Sequence, residues 1–211
     1  DTNNAEAYEY YLRAKHKYEK RENTDDTEIA RGLLKKAIEL DDNLISAKHL
    51  LGDTYKRMGD YDKAMGIYTL ALTKSEELED KLWTGRSSRK VGLIYSSKGY
   101  KDIAKDYYEK SFEIAEEIGD KRGLSSSLHN IGLHYKNHDE LDKALDYFNR
   151  TLELTEEIDD MYGVGASLSN IGVIFKYKGN YSMALDYYNQ SLKIIEELGD
   201  NLYLFELCLL I

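Results

Sequence analysis

Apolar residues along this chain recur three and four positions apart, in blocks separated by short polar breaks. That spacing puts them on one face of a helix, so the pattern predicts a succession of amphipathic helices. The blocks come in pairs. First helices are predicted over 45–58, 82–98, 122–137 and 162–178, and second helices over 61–78, 101–118, 141–158 and 181–198. An additional pair, over 5–22 and 27–40, precedes them.

The pairs repeat. Gly52, Gly92, Gly132 and Gly172 stand 40 residues apart. Tyr55, Tyr95, Tyr135 and Phe175 keep the same step, as do Ala64, Ala104, Ala144 and Ala184, and Tyr68, Tyr108, Phe148 and Tyr188. Markers of different chemistry held in one phase identify a repeat array, in which each unit buries its apolar face against its neighbours. The expected architecture is all-α: one right-handed α-solenoid of antiparallel helix pairs over 1–211. Its parts are an atypical first pair at 5–43, four pairs at 45–80, 82–120, 122–160 and 162–200, and the start of a truncated capping helix at 201–211. In the first pair Ala14 takes the glycine position and Ala30 follows it by 16 residues rather than 12, which predicts about four extra residues in the inter-helix turn.

Gly59, Gly99 and Gly179 are placed to close first helices in the left-handed conformation, with Asp139 as the substitute. The phased mid-helix glycines each cost about 1 kcal/mol relative to Ala. A cost repeated in every pair predicts close helix–helix approach, with the small Ala64 set receiving a neighbour on the other side.

Leu or Val or Ile before the phased glycine, an aromatic three after it, Ala twelve after it and an aromatic four beyond that resemble the tetratricopeptide repeat. The 40-residue period, with Glu76, Glu116, Glu156 and Glu196 where the shorter form closes on Pro, is similar to the repeats of kinesin light chains and of bacterial peptide-sensing Rap-type regulators. The first pair is also similar to tetratricopeptide regions of bacterial signalling enzymes such as adenylate cyclases. The resemblance implies a protein–protein interaction scaffold, with first helices lining a concave face and second helices a convex one.

Composition adds to this. The absence of Pro suits long uninterrupted helices. The 19 Tyr suggest rings in the core with hydroxyls at its wet rim. A lone Cys208 excludes an intramolecular disulfide framework and favours a reducing, cytoplasmic setting. A net charge of −10 argues against nucleic acid as partner. No apolar run approaches the roughly 20 residues that span a bilayer. The chain opens at Asp1 rather than Met, which reads as a piece of a longer protein.

The charge is segregated. First-helix segments 81–98, 121–138 and 161–178 hold ten Lys or Arg and no Asp or Glu, whereas second-helix segments 101–120, 139–160 and 181–200 hold six basic and twenty acidic residues. Lys98, Lys136, Lys176 and Lys178 fall at helix C-termini, where cations are favoured anyway. Arg86, Arg89 and Lys90 do not, and they imply a basic groove.

The resemblance implies which positions face that groove. From the first and second full repeats they include Lys56, Arg57, Arg86, Arg89, Lys90 and Leu93. The third contributes His129, Asn130, Leu133 and Lys136, and the fourth Asn170, Val173, Lys176 and Tyr177. Asparagine amides can pair with a peptide backbone and the cations with carboxylates, so the expected ligand is an extended peptide or tail of acidic character. Asp53, also at a groove position, is out of place in that scheme.

No nucleophile–base pair or phosphate-binding loop is legible, so no enzyme and no cofactor are expected. His134 and His138 share a helical face, but zinc wants three or four ligands and no metal site is expected. The alternative function is a sensory, regulatory or oligomerising segment of a larger bacterial signalling protein. The apolar end at 202–211 is either a cap or a self-association patch.

Overall fold

The computed structural model describes residues 4–21 and 23–199; the 202–211 segment and Cys208 lie outside them. Among the described residues there are ten helices and no strand. They are α1 Ala5–Glu19, α2 Thr24–Leu40, α3 Ile45–Arg57, α4 Tyr61–Glu77, α5 Lys81–Ser97, α6 Lys101–Ile118, α7 Lys121–Lys136, α8 Leu141–Glu157, α9 Met161–Tyr177 and α10 Tyr181–Leu198. The chain forms two compact units, 1–107 and 108–211, with the boundary inside α6.

Local chemistry sets the helix starts. Asn4, Asn23, Asp60, Asp80, Asp160 and Asn180 each accept a hydrogen bond from the backbone N–H three residues on, at 3.0–3.2 Å. This satisfies a donor that the first turn leaves without a partner. First helices end as the periodicity predicts, with Gly59, Gly99, Gly179 and Asp139 all at positive φ.

The expanded turn of the first pair is corrected. α1 ends five residues after Ala14, just as α3 ends five after Gly52, and the connection 20–23 is one residue longer than 58–60. The other three additional residues form an extra first turn on α2. Asn23 caps that turn, and its acidic residues favour a helix N-terminus. Asp26 is nearly buried and pairs with Lys17 at 2.6 Å.

Three of the four phased glycines are explained by rings. A Cβ added to Gly52 would lie 2.4 Å from Tyr68 Cε1. At Gly132 it would lie 2.8 Å from Phe148 Cε1, and at Gly172 2.7 Å from Tyr188 Cδ1. Close approach was the expected cause; what fills the space is the phased aromatic of the following helix lying on the glycine. In the first unit Ala64, Tyr68, Leu72, Val91 and Ile94 form one core cluster, and in the second Ala144, Phe148, Ile171 and Ile174 form another. A further ring pair recurs within repeats: Tyr95 on Tyr107, Tyr135 on Tyr147 and Phe175 on Tyr187, stacked with centroids 5.5, 5.3 and 5.5 Å apart.

Candidate functional site

In the first unit the groove positions on α3 and α5 are tied together by a polar cluster. Lys90 Nζ meets Asp53 Oδ1 at 2.5 Å, and Tyr68 Oη donates to the same oxygen at 2.6 Å. Asp53 is therefore the internal counter-ion of Lys90. Burial pulls the Lys90 ammonium below its usual range, outweighing the attraction of Asp53. The Tyr68 phenol is pushed upward, first by burial and then by the Asp53 charge. Its hydroxyl is thus inside the cluster rather than at a wet rim.

His49 lies beneath this pair. Its Nε2 is 2.7 Å from Ser87 Oγ, and its ring meets Trp83 edge to face at 4.9 Å. Burial, then the positive charge of Lys90, lowers its pKa to about 3. The imidazole is neutral there at ordinary pH. The Arg86 guanidinium lies over the Trp83 ring at 5.4 Å. Arg89 and Leu93 are half-buried on α5, Lys56 is half-buried and Arg57 is exposed at the end of α3.

In the second unit the groove positions fall on α7 and α9, both packed on α8. Asn130 is only 7% exposed on α7. Asn170 donates to Ala166 O at 2.9 Å, leaving its carbonyl oxygen as an acceptor. Lys136 is half-buried, and desolvation lowers its pKa without an opposing carboxylate. Leu133 and Val173 are half-buried apolar positions beside them. His129 packs against Phe148 with centroids 5.8 Å apart. Lys176 and Tyr177 are exposed at the end of α9.

Two of the helix-end cations are structural. Lys98 pairs with Asp62 and Lys178 with Asp142, each fastening a first-helix end to the second helix before it. Lys136 has no such partner among the described residues. The His134 and His138 rings lie 4.2 Å apart, with His138 Nδ1 2.9 Å from the His134 carbonyl oxygen. No helix among the described residues is long and apolar enough to cross a membrane.

The Asp53–Lys90–Tyr68 cluster was missed in the sequence, although a signal exists. Asp53 stands where the other repeats have Leu93, Leu133 and Val173, and Lys90 where two of them have Asn130 and Asn170. Two departures from the pattern in adjacent repeats, opposite in charge, identify a candidate pair.

Paired antiparallel helices, with rings seated on phased glycines, define an α-helical repeat protein. The chain belongs to the tetratricopeptide repeat family, whose model matches residues 43–117, 101–157 and 123–197. Solved structures with this fold include a Rap protein complexed with Competence and Sporulation Factor, at 17% identity and a TM-score of 0.83, covering 98% of this chain and 58% of that one. BtubC (BKLC) from P. vanneervenii shows 18% identity and a TM-score of 0.68, with 93% and 91% covered. The nearly identical TPR-like repeats of a protein assigned as a kinesin light chain from Podosopora anserina show 12% and 0.67, with 91% and 95% covered. The chain thus spans little more than half the length of that Rap protein. Comparison with curated proteins finds no matching sequence.

Proposed function

We propose that this chain is a non-catalytic interaction module whose first helices bind an extended peptide segment of acidic character. The observation that carries this reading is the Lys136 ammonium on α7, partly desolvated with no carboxylate beside it among the described residues. The Asn130 side chain lies nearly buried on the same helix, and Asn170 on α9 keeps its carbonyl oxygen as an acceptor. A partly desolvated cation costs stability unless a partner satisfies it. A peptide strand supplies partners: backbone carbonyl and N–H groups for the amides, a carboxylate for the cation. Leu133 and Val173 provide apolar contact beside them. Within the first unit, Lys56 and Arg57 place positive charge at the end of α3, whereas Lys90 is already neutralised by Asp53. A second support for a peptide ligand is that the similarly folded Rap protein is complexed with Competence and Sporulation Factor.

The test is fluorescence polarisation with a set of labelled peptides graded from acidic to basic, at two salt concentrations. Acidic peptides should bind, binding should weaken with salt, and Lys136→Glu should weaken it about tenfold or more with unchanged helicity. Undiminished affinity in Lys136→Glu would remove the assignment. Absence of binding by every peptide would instead favour a regulatory or assembling segment of a larger protein.

A further inference from the structure

A cavity of about 490 Å³ opens in the first unit among α2, α3 and α4. Its apolar wall is formed by Ile38, Leu51, Tyr55, Ile67 and Leu70. Its rim carries Lys35, Lys48 and Lys74 against Glu39, Asp42 and Glu77. Asp42 joins Lys48 at 2.7 Å and Lys74 at 3.2 Å, so much of this charge is internally paired. The volume falls within the roughly 300–1,000 Å³ of pockets that hold small ligands or side chains.

The repeats show what is missing here. Twelve residues after the first-helix aromatic, the other three full repeats place Tyr107, Tyr147 and Tyr187, each stacked on that aromatic at 5.3–5.5 Å. The first full repeat has Ile67 at this position beside Tyr55, and both line the cavity. Three residues further on, Leu70 stands where the others have Lys110, Arg150 and Gln190, and it leaves an apolar wall exposed. The departures from the repeat therefore remove a ring and make its surroundings more apolar, together.

We infer that this cavity binds an aromatic side chain of a partner polypeptide, seated where the internal tyrosine of the other repeats would stack. The largely compensated rim favours an uncharged ring, and a ring seated against the apolar wall removes both surfaces from water. The site is separate from the α7 and α9 positions and does not depend on the acidic-peptide reading.

The experiment is a titration of the ¹⁵N-labelled chain, followed by ¹H–¹⁵N shifts, with three probes. N-acetyl-tyrosinamide presents the ring on a peptide backbone, N-acetyl-leucinamide is the aliphatic control, and p-cresol is the ring alone. The tyrosinamide should shift the amides of Leu51, Tyr55, Ile67 and Leu70 and bind about fivefold more tightly than the leucinamide. Ile67→Tyr, which restores the repeat's own ring, should abolish the effect with unchanged helical circular dichroism. Should that variant misfold, Leu70→Lys, which adopts the residue of the next repeat, should weaken binding about threefold or more. Shifts elsewhere, equal binding of the leucinamide, or binding that survives these substitutions would overturn the proposal. So would binding of p-cresol without the tyrosinamide, which would point to a free small aromatic ligand.

Discussion

Replacing Gly52 and Gly66 by Ala, one at a time, should shift stability in opposite directions. Both lie inside helices of the first unit, and in both places Ala is favoured over Gly by up to about 1 kcal/mol on helix propensity. Around Gly66 nothing lies within 4 Å of the added Cβ, so Gly66→Ala should keep most of that gain, about 0.5–1 kcal/mol. At Gly52 the added Cβ would meet three atoms of the Tyr68 ring at 2.4, 2.7 and 2.8 Å. The ring cannot simply swing away. It is fully buried, and its hydroxyl is held at 2.6 Å by Asp53, the carboxylate that also neutralises Lys90. Overpacking costs about 1–3 kcal/mol, and lengthening a hydrogen bond to a charged group puts about 1.5–3 kcal/mol at stake. Subtracting the propensity gain leaves Gly52→Ala destabilised by about 1–3 kcal/mol, so the two variants should differ by about 1.5–4 kcal/mol. Urea titration followed at 222 nm measures this as opposite shifts of the midpoint at constant slope. A further arm isolates the cause: in a Tyr68→Leu background the cost of Gly52→Ala should shrink, because the obstructing ring is gone. If Gly52→Ala raised the midpoint as much as Gly66→Ala does, the close approach of Tyr68 would not be what fixes glycine there.

Two further outcomes are expected. His49 is neutral in the folded chain, with a pKa lowered to about 3 by burial and then by Lys90. Because the folded value lies below the unfolded one near 6.5, its contribution is fully present above pH 6.5 and is lost as pH falls from there toward 3. By pH 5 this amounts to about 2 kcal/mol. Urea midpoints between pH 7.5 and 4.5 should therefore fall more steeply in the parent chain than in His49→Gln, and parallel profiles would contradict the burial of the imidazole. Asp139 holds φ of 60° at a position where Gly59, Gly99 and Gly179 hold 76°, 85° and 75°. Asp139→Gly should raise stability by about 0.5–1 kcal/mol in thermal denaturation, since glycine adopts this conformation without steric cost. A lowered midpoint would mean that the Asp side chain supports the turn between α7 and α8.

The helices were legible within one residue for eight of the ten, because their signals are local. Asp60, Asp80 and Asp160 cap the following helix, Gly59, Gly99 and Gly179 close the preceding one, and apolar residues at helical spacing span the interval. The exceptions are the C-terminus of α1, which ends at Glu19 rather than at 22, and the N-terminus of α2. The residues Thr24-Asp25-Asp26 read equally well as a turn or as a first helical turn, and the choice rests on the Asn23 cap and the Asp26–Lys17 pair. Of the candidate site, Lys136, Asn130 and Asn170 could be nominated from their place in the repeat. That Lys90 meets Asp53, 37 positions earlier, is only hinted at by two departures from the repeat. Period and spacing predict which face a residue occupies, but not which distant side chain meets it there.

The order of the helices, their pairing and the 40-residue step follow from periodicity and capping, interactions that reach no further than about four residues along the chain. The rings on Gly52, Gly132 and Gly172, the meeting of Asp53 with Tyr68 and Lys90, and the cavity beside Ile67 depend on packing between helices. Each is decided by how much space two surfaces leave between them, a quantity set by all the side chains at a crossing at once. The same glycine is therefore required at 52 and replaceable at 66.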